Sequence, residues 1–285
     1  MHTIDRRHFL KASAALMASG ALAGAAQEKA PPWRKAFMLG DLKNGQIEKT
    51  FCEFRDAGFQ GLELLSPNNY DTKELLAARD ATGLVIHGVS GSVHWGSPLS
   101  DPDEAVVQRG LDAIKKEIAD IKAYGGSTVL LVPGVVNEKA TFQQCWERSQ
   151  KAIKSVLPLA AENQISIAIE VVWNHFLETP QDMARYVDEL DSKWAKAYFD
   201  VGNVVKFSPP QDWIRVLGKR IAKIHVKEYG KAKGFNYLLG EGDIDWKAVR
   251  QALLDIGYEG WITAEVGKQD LPDIAARMNR LLGMK

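Results

Sequence analysis

Short apolar runs alternate with longer amphipathic segments along most of the chain. Each run has the length and the β-branched content of a buried strand. The segments between them place apolar residues three or four positions apart, as in Ile114, Ile118 and Ile121, which is the period of a helix. The predicted strands are residues 36–40, 61–65, 84–89, 128–133, 165–170, 195–200, 221–226 and 260–265. The pattern therefore predicts eight strand–helix units in succession.

Glycines and prolines fall where these units should end and begin. Gly58, Gly126 and Gly257 stand just ahead of predicted strands, as glycines that end helices do. Pro102 and Pro180 stand where helices should begin, because the first helical turn tolerates proline. Eight such units predict an α/β fold, a single-domain (βα)8 TIM barrel, with an open doubly wound sheet as the alternative. No glycine-rich dinucleotide fingerprint follows the first strand, which weakens that alternative.

The N-terminal segment differs in composition from the rest of the chain. Arg6 and Arg7 precede an Ala-rich apolar stretch that is too short for a good membrane span and ends in small residues near 23–26. This order resembles a twin-arginine export signal, although Asp5 stands where that pattern usually has Ser or Thr; the alternative is a disordered basic tail. We therefore expect residues 1–30 to be a signal peptide and linker, residues 31–285 to be the barrel, and the protein to be periplasmic or otherwise exported.

The charge balance narrows the classes of partner. The 36 basic residues equal the 36 acidic ones, so the chain lacks the basic surface that binding to nucleic acid requires. The two cysteines, Cys52 and Cys145, fall inside predicted helices, and unpaired cysteines are favoured over a disulfide. These features indicate a globular protein that binds neither nucleic acid nor, once the signal is removed, a membrane.

Four of the predicted strands end on side chains that bind metals. The fifth strand ends on Glu170, the sixth on Asp200, the seventh reaches His225 and the eighth ends on Glu265. In a barrel the carboxyl ends of the strands meet at one mouth, where three carboxylates would repel one another without a cation. Each residue alone is more often a solvated acid or a hydrogen-bonded core histidine, but their joint occurrence favours a metal site. Oxygen-rich ligation with one imidazole suits Mn²⁺, with Mg²⁺ or Co²⁺ as alternatives.

The sequence around these residues resembles a known family. The segments "EVVWNHFLETP", "FDVGN", "IHVKE", "LGEGDIDW" and "GYEGWITAE" are similar to those of the xylose isomerase-like barrel superfamily. The nearest branch is that of sugar (phosphate) isomerases and epimerases, including L-ribulose-5-phosphate or L-xylulose-5-phosphate 3-epimerases and D-tagatose 3-epimerases. The resemblance extends from about Trp33 to the end of the chain.

The resemblance implies a ligand set and a mechanism. Glu170, Asp200, His225 and Glu265 match the family's single divalent-metal site, and Glu170 and Glu265 also match its acid/base pair. One glutamate would remove the proton beside a ketose carbonyl to give a metal-stabilised enediolate, and the other would return a proton to the opposite face.

Further side chains near the mouth are predicted to bind the substrate. Trp95 and Trp173 would wall the site, Asn174 and Asn203 would contact substrate or orient ligands, and Lys227 would point into the mouth unless it is simply exposed. The predicted substrate-binding residues are Glu63, His87, His94, Trp173, Asn174, Asn203 and Lys227.

The substrate stays open because the motifs depart from one branch of the family. Asn203 stands where the D-tagatose branch has histidine, and Lys227 or Lys231 stands where it has arginine. Export also favours free sugars or glycosides over sugar phosphates. The expected partner is a small-molecule sugar, and the chain itself forms either a monomer or a homodimer.

Three other functions are alternatives to that of a sugar isomerase or epimerase. The first is an exported metal-dependent lyase or hydratase that cleaves 3-keto-glycosides by β-elimination. The second is a non-catalytic sugar-binding barrel, which retention of both glutamates disfavours. The third is an apurinic-site endonuclease, which the neutral charge and the single metal site disfavour.

Overall fold

Eight parallel strands form a closed barrel in chain order, with the first strand pairing with the last. The computed structural model describes residues 30–40, 42–267 and 270–285. The strands are β1 (Trp33–Leu39), β2 (Gly61–Ser66), β3 (Val85–Gly91), β4 (Thr128–Leu131), β5 (Ser166–Glu170), β6 (Ala195–Asp200), β7 (Ile221–Val226) and β8 (Gly260–Ala264). The predicted barrel is thereby confirmed, and the open sheet is excluded.

At least one helix follows each strand in the described part of the chain. The helices are α1 (Ile47–Asp56), α2 (Thr72–Thr82), α3 (Glu104–Tyr124), α4 (Phe142–Asn163), α5 (Pro180–Glu189), α6 (Val201–Val204), α7 (Pro210–Leu217), α8 (Trp246–Asp255) and α9 (Leu271–Leu282). A 3₁₀ turn, Gly218–Arg220, leads into β7. The unit that carries the barrel runs from Pro31 to Lys285. The predicted signal segment, including Arg6 and Arg7, lies outside the described residues apart from its last one.

Strand boundaries follow the apolar pattern best where both faces of the strand are buried. The predicted limits of β6 and β7 coincide with the observed ones. β1 begins three residues earlier than predicted because it pairs with β8 as far back as Trp33 and Gly260, which closes the barrel. The apolar pattern does not predict this extension because it contains the charged residue Lys35. The Lys35 side chain is nevertheless buried and donates a hydrogen bond of 2.7 Å to Asn279 Oδ1.

The barrel has a large apolar core outside the strands and a polar interior. Most buried apolar side chains lie in one cluster between the strands and the surrounding helices. Leu130, Ala168 and Tyr198 form a separate small cluster. Because side chains alternate across a strand, the same barrel strands also bury Glu63 and His225, which are hydrogen bonded to each other. The interior is thus built to hold polar groups beneath the mouth.

Glu228 organises the long loop between β7 and α8. Its carboxylate is buried and accepts hydrogen bonds from Gly240 N at 2.6 Å and from Trp246 Nε1 at 2.8 Å. It also accepts longer bonds from the backbone N–H groups of Tyr229 and Ile244. The "LGEGDIDW" segment therefore wraps around one carboxylate. Both cysteines are free, as predicted.

Removing this carboxylate should destabilise the protein. Glu228→Ala leaves several buried N–H donors without an acceptor, and we expect the free energy of unfolding to fall by about 2–4 kcal/mol. Urea denaturation followed by circular dichroism measures the change. Glu241→Ala is the matched control, because Glu241 lies on the same loop, is half exposed and pairs with Arg277 at the surface. The free energy of unfolding of the control should fall by less than about 1 kcal/mol. Equal losses in the two variants would contradict the role of Glu228 in stabilising the loop.

Candidate active site

Four side chains converge at the carboxyl ends of neighbouring strands. Glu170 ends β5, Asp200 ends β6, His225 lies near the end of β7, and Glu265 directly follows β8. One ligand atom from each lies within 4.8 Å of those of the other three. His225 Nδ1 is 3.0 Å from Glu265 Oε2, 3.5 Å from Glu170 Oε1 and 4.0 Å from Asp200 Oδ2. The structure thus brings together the four residues that the sequence places at strand ends.

The chemistry of this cluster fits a divalent metal ion. His225 Nδ1 is buried and forms no hydrogen bond, although Glu265 Oε2 lies only 3.0 Å away. The ring nitrogen and the carboxylates therefore approach one another without the alignment that a hydrogen bond requires. Three carboxylate oxygens and one imidazole nitrogen are a donor set suited to Mn²⁺ or Mg²⁺. These residues could hold a metal ion.

The electrostatics of the cluster point the same way. Burial, with Glu265 nearby, raises the pKa of Glu170, and burial raises the pKa of Asp200 to about 7. Burial also opposes ionisation of Glu265, but His225 and Lys227 outweigh it and hold the pKa of Glu265 below its usual range. The buried carboxylates are thus short of positive charge, which a divalent cation would supply.

Glu63 supports the ligand histidine from below. Its Oε1 lies 3.0 Å from His225 Nε2, and its Oε2 accepts a hydrogen bond from the Tyr198 hydroxyl. Because a carboxylate only accepts, this contact places a proton on Nε2 and leaves Nδ1 for the cluster. Glu63 was expected to contact substrate, but it is fully buried beneath the cluster, with both of its oxygens engaged.

His87 also lies inside the barrel instead of at the mouth. It is buried, stacks on Trp261 with ring centroids 4.8 Å apart, and its Nε2 lies 3.1 Å from Thr263 Oγ1. Burial, together with the charge of Lys223, holds the pKa of His87 well below its usual value. The structure does not bring His87 to the cleft, so its predicted contact with substrate finds no support in this geometry.

A cleft of 520 Å³ opens above the cluster. Glu170 and Glu265 line this cleft. So do four of the predicted substrate-binding residues: His94, Trp173, Asn203 and Lys227. Asn174 does not: its Nδ2 donates to Gly134 O at 2.6 Å, and its Oδ1 accepts from Phe176 N. It ties the loop after β5 to the loop after β4, which is a supporting position.

Asn203 and Lys227 hold the ligand carboxylates in place. Asn203 N donates to Asp200 Oδ1 at 2.9 Å, while its Nδ2 donates to Val171 O at 3.1 Å and to Glu170 Oε1 at 3.4 Å. Lys227 Nζ lies 2.9 Å from Asp200 Oδ2 and 3.0 Å from Glu265 Oε2. The Lys227 side chain is only 16% exposed, which excludes the alternative that it is a surface lysine.

Gly202 explains the glycine of the "DVGN" segment. A Cβ at this position would lie 2.5 Å from Lys227 Cγ and 2.9 Å from Lys227 O. In this segment Asp200 is a candidate ligand, and Gly202 leaves space for the Lys227 side chain. Asn203 holds Asp200 and Glu170 by hydrogen bonds. Sequence reasoning missed the glycine's part, although its place between two predicted site residues was a usable signal.

Glu117 of α3 is a buried acid that sequence reasoning also missed. Burial, with Asp120 nearby, raises its pKa to about 8. It lies behind His94, whose own pKa burial lowers to about 4. A Cβ on Gly91 would be 3.0 Å from His94 Nδ1 and 3.1 Å from Glu117 Oε1, so all three pack together. Glu117 falls in an amphipathic helix pattern, which gave no sign of its burial.

Comparison with known proteins agrees with this fold. Residues 52–282 match the model of the family described as xylose isomerase-like TIM barrel. The chain belongs to the xylose isomerase-like TIM barrel family. Residues 3–23 match the twin-arginine translocation pathway signal sequence, so the chain carries an export signal, as predicted. Among the residues that the structure describes, no helix is long and apolar enough to cross a membrane.

Proteins that this chain resembles include a sugar phosphate epimerase. L-ribulose-5-phosphate 3-epimerase UlaE of Escherichia coli (strain K12) is 24% identical over 260 residues, which are 86% of this chain and 89% of that protein.

Solved structures show the same fold. That of L-ribulose 3-epimerase has a TM-score of 0.77 at 21% identity, covering 88% of this chain and 93% of the other. That of 3-keto-D-glucoside 4-epimerase, YcjR, from E. coli has a TM-score of 0.74 at 17% identity, covering 87% and 98%.

Replacing Glu63 should weaken metal binding. Glu63→Gln removes the negative charge that orients and polarises the His225 ring, so we expect the dissociation constant for Mn²⁺ to rise about 10- to 100-fold. Isothermal titration calorimetry on metal-free protein measures it. Glu259→Gln, which alters an exposed carboxylate at the other end of the barrel, should leave the constant unchanged. Unchanged affinity in Glu63→Gln would remove Glu63 from the metal centre.

Glu117 should make stability fall as pH rises. The pKa of Glu117 is about 8 in the folded chain and near 4.5 otherwise, so between these values the folded protein binds the extra proton. Glu117→Gln abolishes this linkage. Relative to the variant, the wild-type free energy of unfolding should therefore fall by about 1.4 kcal/mol per pH unit between pH 5 and pH 8. Urea denaturation across this range checks it. Glu104→Gln, on the exposed start of α3, should show a constant difference.

Proposed function

We propose that this protein is an exported, divalent-metal-dependent sugar epimerase or isomerase that moves a proton on the carbon beside a ketose carbonyl. The observation that carries the proposal is the placement of Glu170 and Glu265. Both belong to the metal-ligand cluster, and both line the cleft. They come from β5 and β8, three strands apart in the ring, so they approach a bound substrate from different sides.

Two carboxylates on different sides of one carbon are what inversion at that carbon requires. One glutamate takes the proton beside the carbonyl to give an enediolate, and the other delivers a proton to the opposite face. When bound, the divalent cation polarises the carbonyl and stabilises the negative charge that develops on its oxygen. Of the three candidate ions, Mn²⁺ is our choice, with Mg²⁺ and Co²⁺ as alternatives.

Neighbouring residues position the pair. Asn203 holds Glu170 through its side-chain amide, and Lys227 holds Glu265 through its ammonium group. Trp173 forms part of the wall that excludes water, and its Nε1 donates a hydrogen bond of 2.8 Å to Asn203 O. His94 forms another part of the lining and presents a ring that burial keeps neutral at pH 7. The names of the relatives favour epimerisation at carbon 3 of a ketose.

The second candidate is a lyase that uses the same residues. The export signal favours it, because sugar phosphates are confined to the cytoplasm whereas glycosides are found outside it. The same glutamate removes the proton beside the ketone of a 3-keto-glycoside, and the electron pair then expels the substituent on the next carbon. A non-catalytic sugar-binding barrel is the third candidate, and the presence of both glutamates in the cluster disfavours it.

Proton exchange in D₂O separates these candidates. Purified protein with Mn²⁺ is incubated with free ketoses, ketose phosphates and a 3-keto-glycoside, and the metal is chelated before proton NMR spectra are recorded. An epimerase or isomerase loses the signal of the proton beside the carbonyl as a new epimer or aldose appears. A lyase releases the aglycone. Bound metal without exchange on any of these substrates would reject both catalytic proposals.

Glu265→Gln should abolish the reaction while preserving the fold. The amide retains the shape of the side chain but cannot accept the proton, so we expect turnover to fall at least about 100-fold. Circular dichroism checks the fold. Glu178→Gln, a partly exposed carboxylate on the loop after β5, is the matched control and should retain wild-type turnover. An active Glu265→Gln enzyme would refute the assigned acid/base pair.

A further inference from the structure

Exposed aromatic side chains are concentrated around the cleft. Trp95 is 57% exposed, and Trp173 and Phe235 are each 40% exposed. All three line the cleft above the metal-ligand cluster. The other exposed large apolar side chains in the described residues are Val85, Phe142 and Leu254, which do not line it. Exposed aromatic surface gathered at one concave site marks a place where a ligand packs.

These three residues, which we call the aromatic rim, lie on three loops around the mouth. Trp95 lies on the loop after β3 and Phe235 on the loop after β7, and these strands stand half a turn apart in the ring. Trp173, on the loop after β5, joins Phe235 with ring centroids 5.0 Å apart. A ring-shaped ligand above the cluster would therefore have aromatic surface on two sides.

The rim is a built structure connected to the ligand cluster. The indole N–H of Trp173 is fixed on Asn203 O, and Asn203 clamps Glu170 and Asp200. Phe235 is carried by the loop that Glu228 organises. Lys227 Nζ lies 5.2 Å from the centre of the Phe235 ring. Two of the three rim residues are thus connected to the cluster or to the loop that Glu228 organises.

The charge of the cleft argues for a neutral occupant of the rim. Among the described residues that line the cleft, Lys227 is the sole cation, and it is engaged by Asp200 and Glu265. Lys206 does not line the cleft, and its Nζ packs on the Trp173 ring, 4.8 Å from the centroid. A phosphate group is normally held by free cationic side chains or by a group of backbone N–H donors. The C–H faces of a second sugar ring need neither and pack well on aromatic rings.

We propose that the aromatic rim is a binding subsite for the second, uncharged ring of a keto-glycoside or keto-disaccharide, whose keto-sugar ring lies at the metal cluster. The proposal rests on the proposed function and names its substrate class. It applies equally to the epimerase and the lyase, because both begin with the same proton removal.

A ratio of catalytic efficiencies tests the subsite. Purified protein with Mn²⁺ is assayed by proton exchange on 3-ketoglucose and on a 3-keto-disaccharide, and kcat/KM is compared. We expect the disaccharide to be preferred, and the ratio to fall about 10- to 100-fold in the double variant Trp95→Ala, Phe235→Ala. Phe142→Ala, which removes an exposed aromatic away from the cleft, is the control and should keep the ratio. Unchanged ratios in the double variant, or a preference for L-ribulose 5-phosphate over L-ribulose, would overturn the proposal.

A binding measurement separates this proposal from the proposed function. Titration of the wild type and both variants with an unreactive disaccharide and with glucose, followed by tryptophan fluorescence or calorimetry, needs no turnover. Tighter binding of the disaccharide that the double variant loses would uphold the subsite even if no substrate exchanges a proton. Equal binding of the two sugars, or no binding, would reject the subsite whatever the outcome of the exchange assay.

Discussion

The crowding of three carboxylates at the mouth of the barrel constrains everything around it. Unpaired carboxylates in a buried site are costly, so each must find a positive charge or a hydrogen-bond donor. Lys227 supplies positive charge within the chain, and Asn203 supplies hydrogen-bond donors. The residues next to the ligands are therefore determined as much by this repulsion as by any substrate.

The support for the cluster extends downward through the barrel. Glu63 engages the far side of the His225 ring and is itself fixed by Tyr198. The large apolar core lies outside the strands, whereas the inside of the barrel is polar. This polar interior is thus a continuation of the site. Above the cluster, Asn203 O accepts a hydrogen bond from the indole N–H of Trp173, which belongs to the aromatic rim. The cluster of four side chains, the barrel interior and the rim form one connected arrangement.

The fold and the clustering of four side chains at strand ends can be predicted from the sequence because both leave local signals. Apolar runs gave the eight strands, and a carboxylate that ends such a run, as Glu170 does, stands out against its neighbours. The depth of a side chain in the barrel leaves no such signal. Glu63 lies beneath the cluster, hydrogen bonded to His225, at a point where the pairing of β2 with β3 shifts register. Asn174 donates to Gly134 O and is followed by positive φ angles at His175 and Leu177, a local conformation that the sequence pattern does not indicate.

Gly202 and Lys227 have a consequence for how this site can vary. The glycine lies in α6 and the lysine directly follows β7. The space that a side chain would need at 202 is filled by Cγ and the backbone carbonyl of Lys227. A larger residue at 202 alone would clash with Lys227, and a shorter residue at 227 alone would remove the ammonium group from Asp200 and Glu265. A larger residue at 202 is tolerable only with a shorter side chain and a shifted backbone at 227, so a joint change can avoid a penalty that each single substitution meets. The two positions are therefore expected to be epistatic, and a mutational library that varies them separately would miss the combinations that fold.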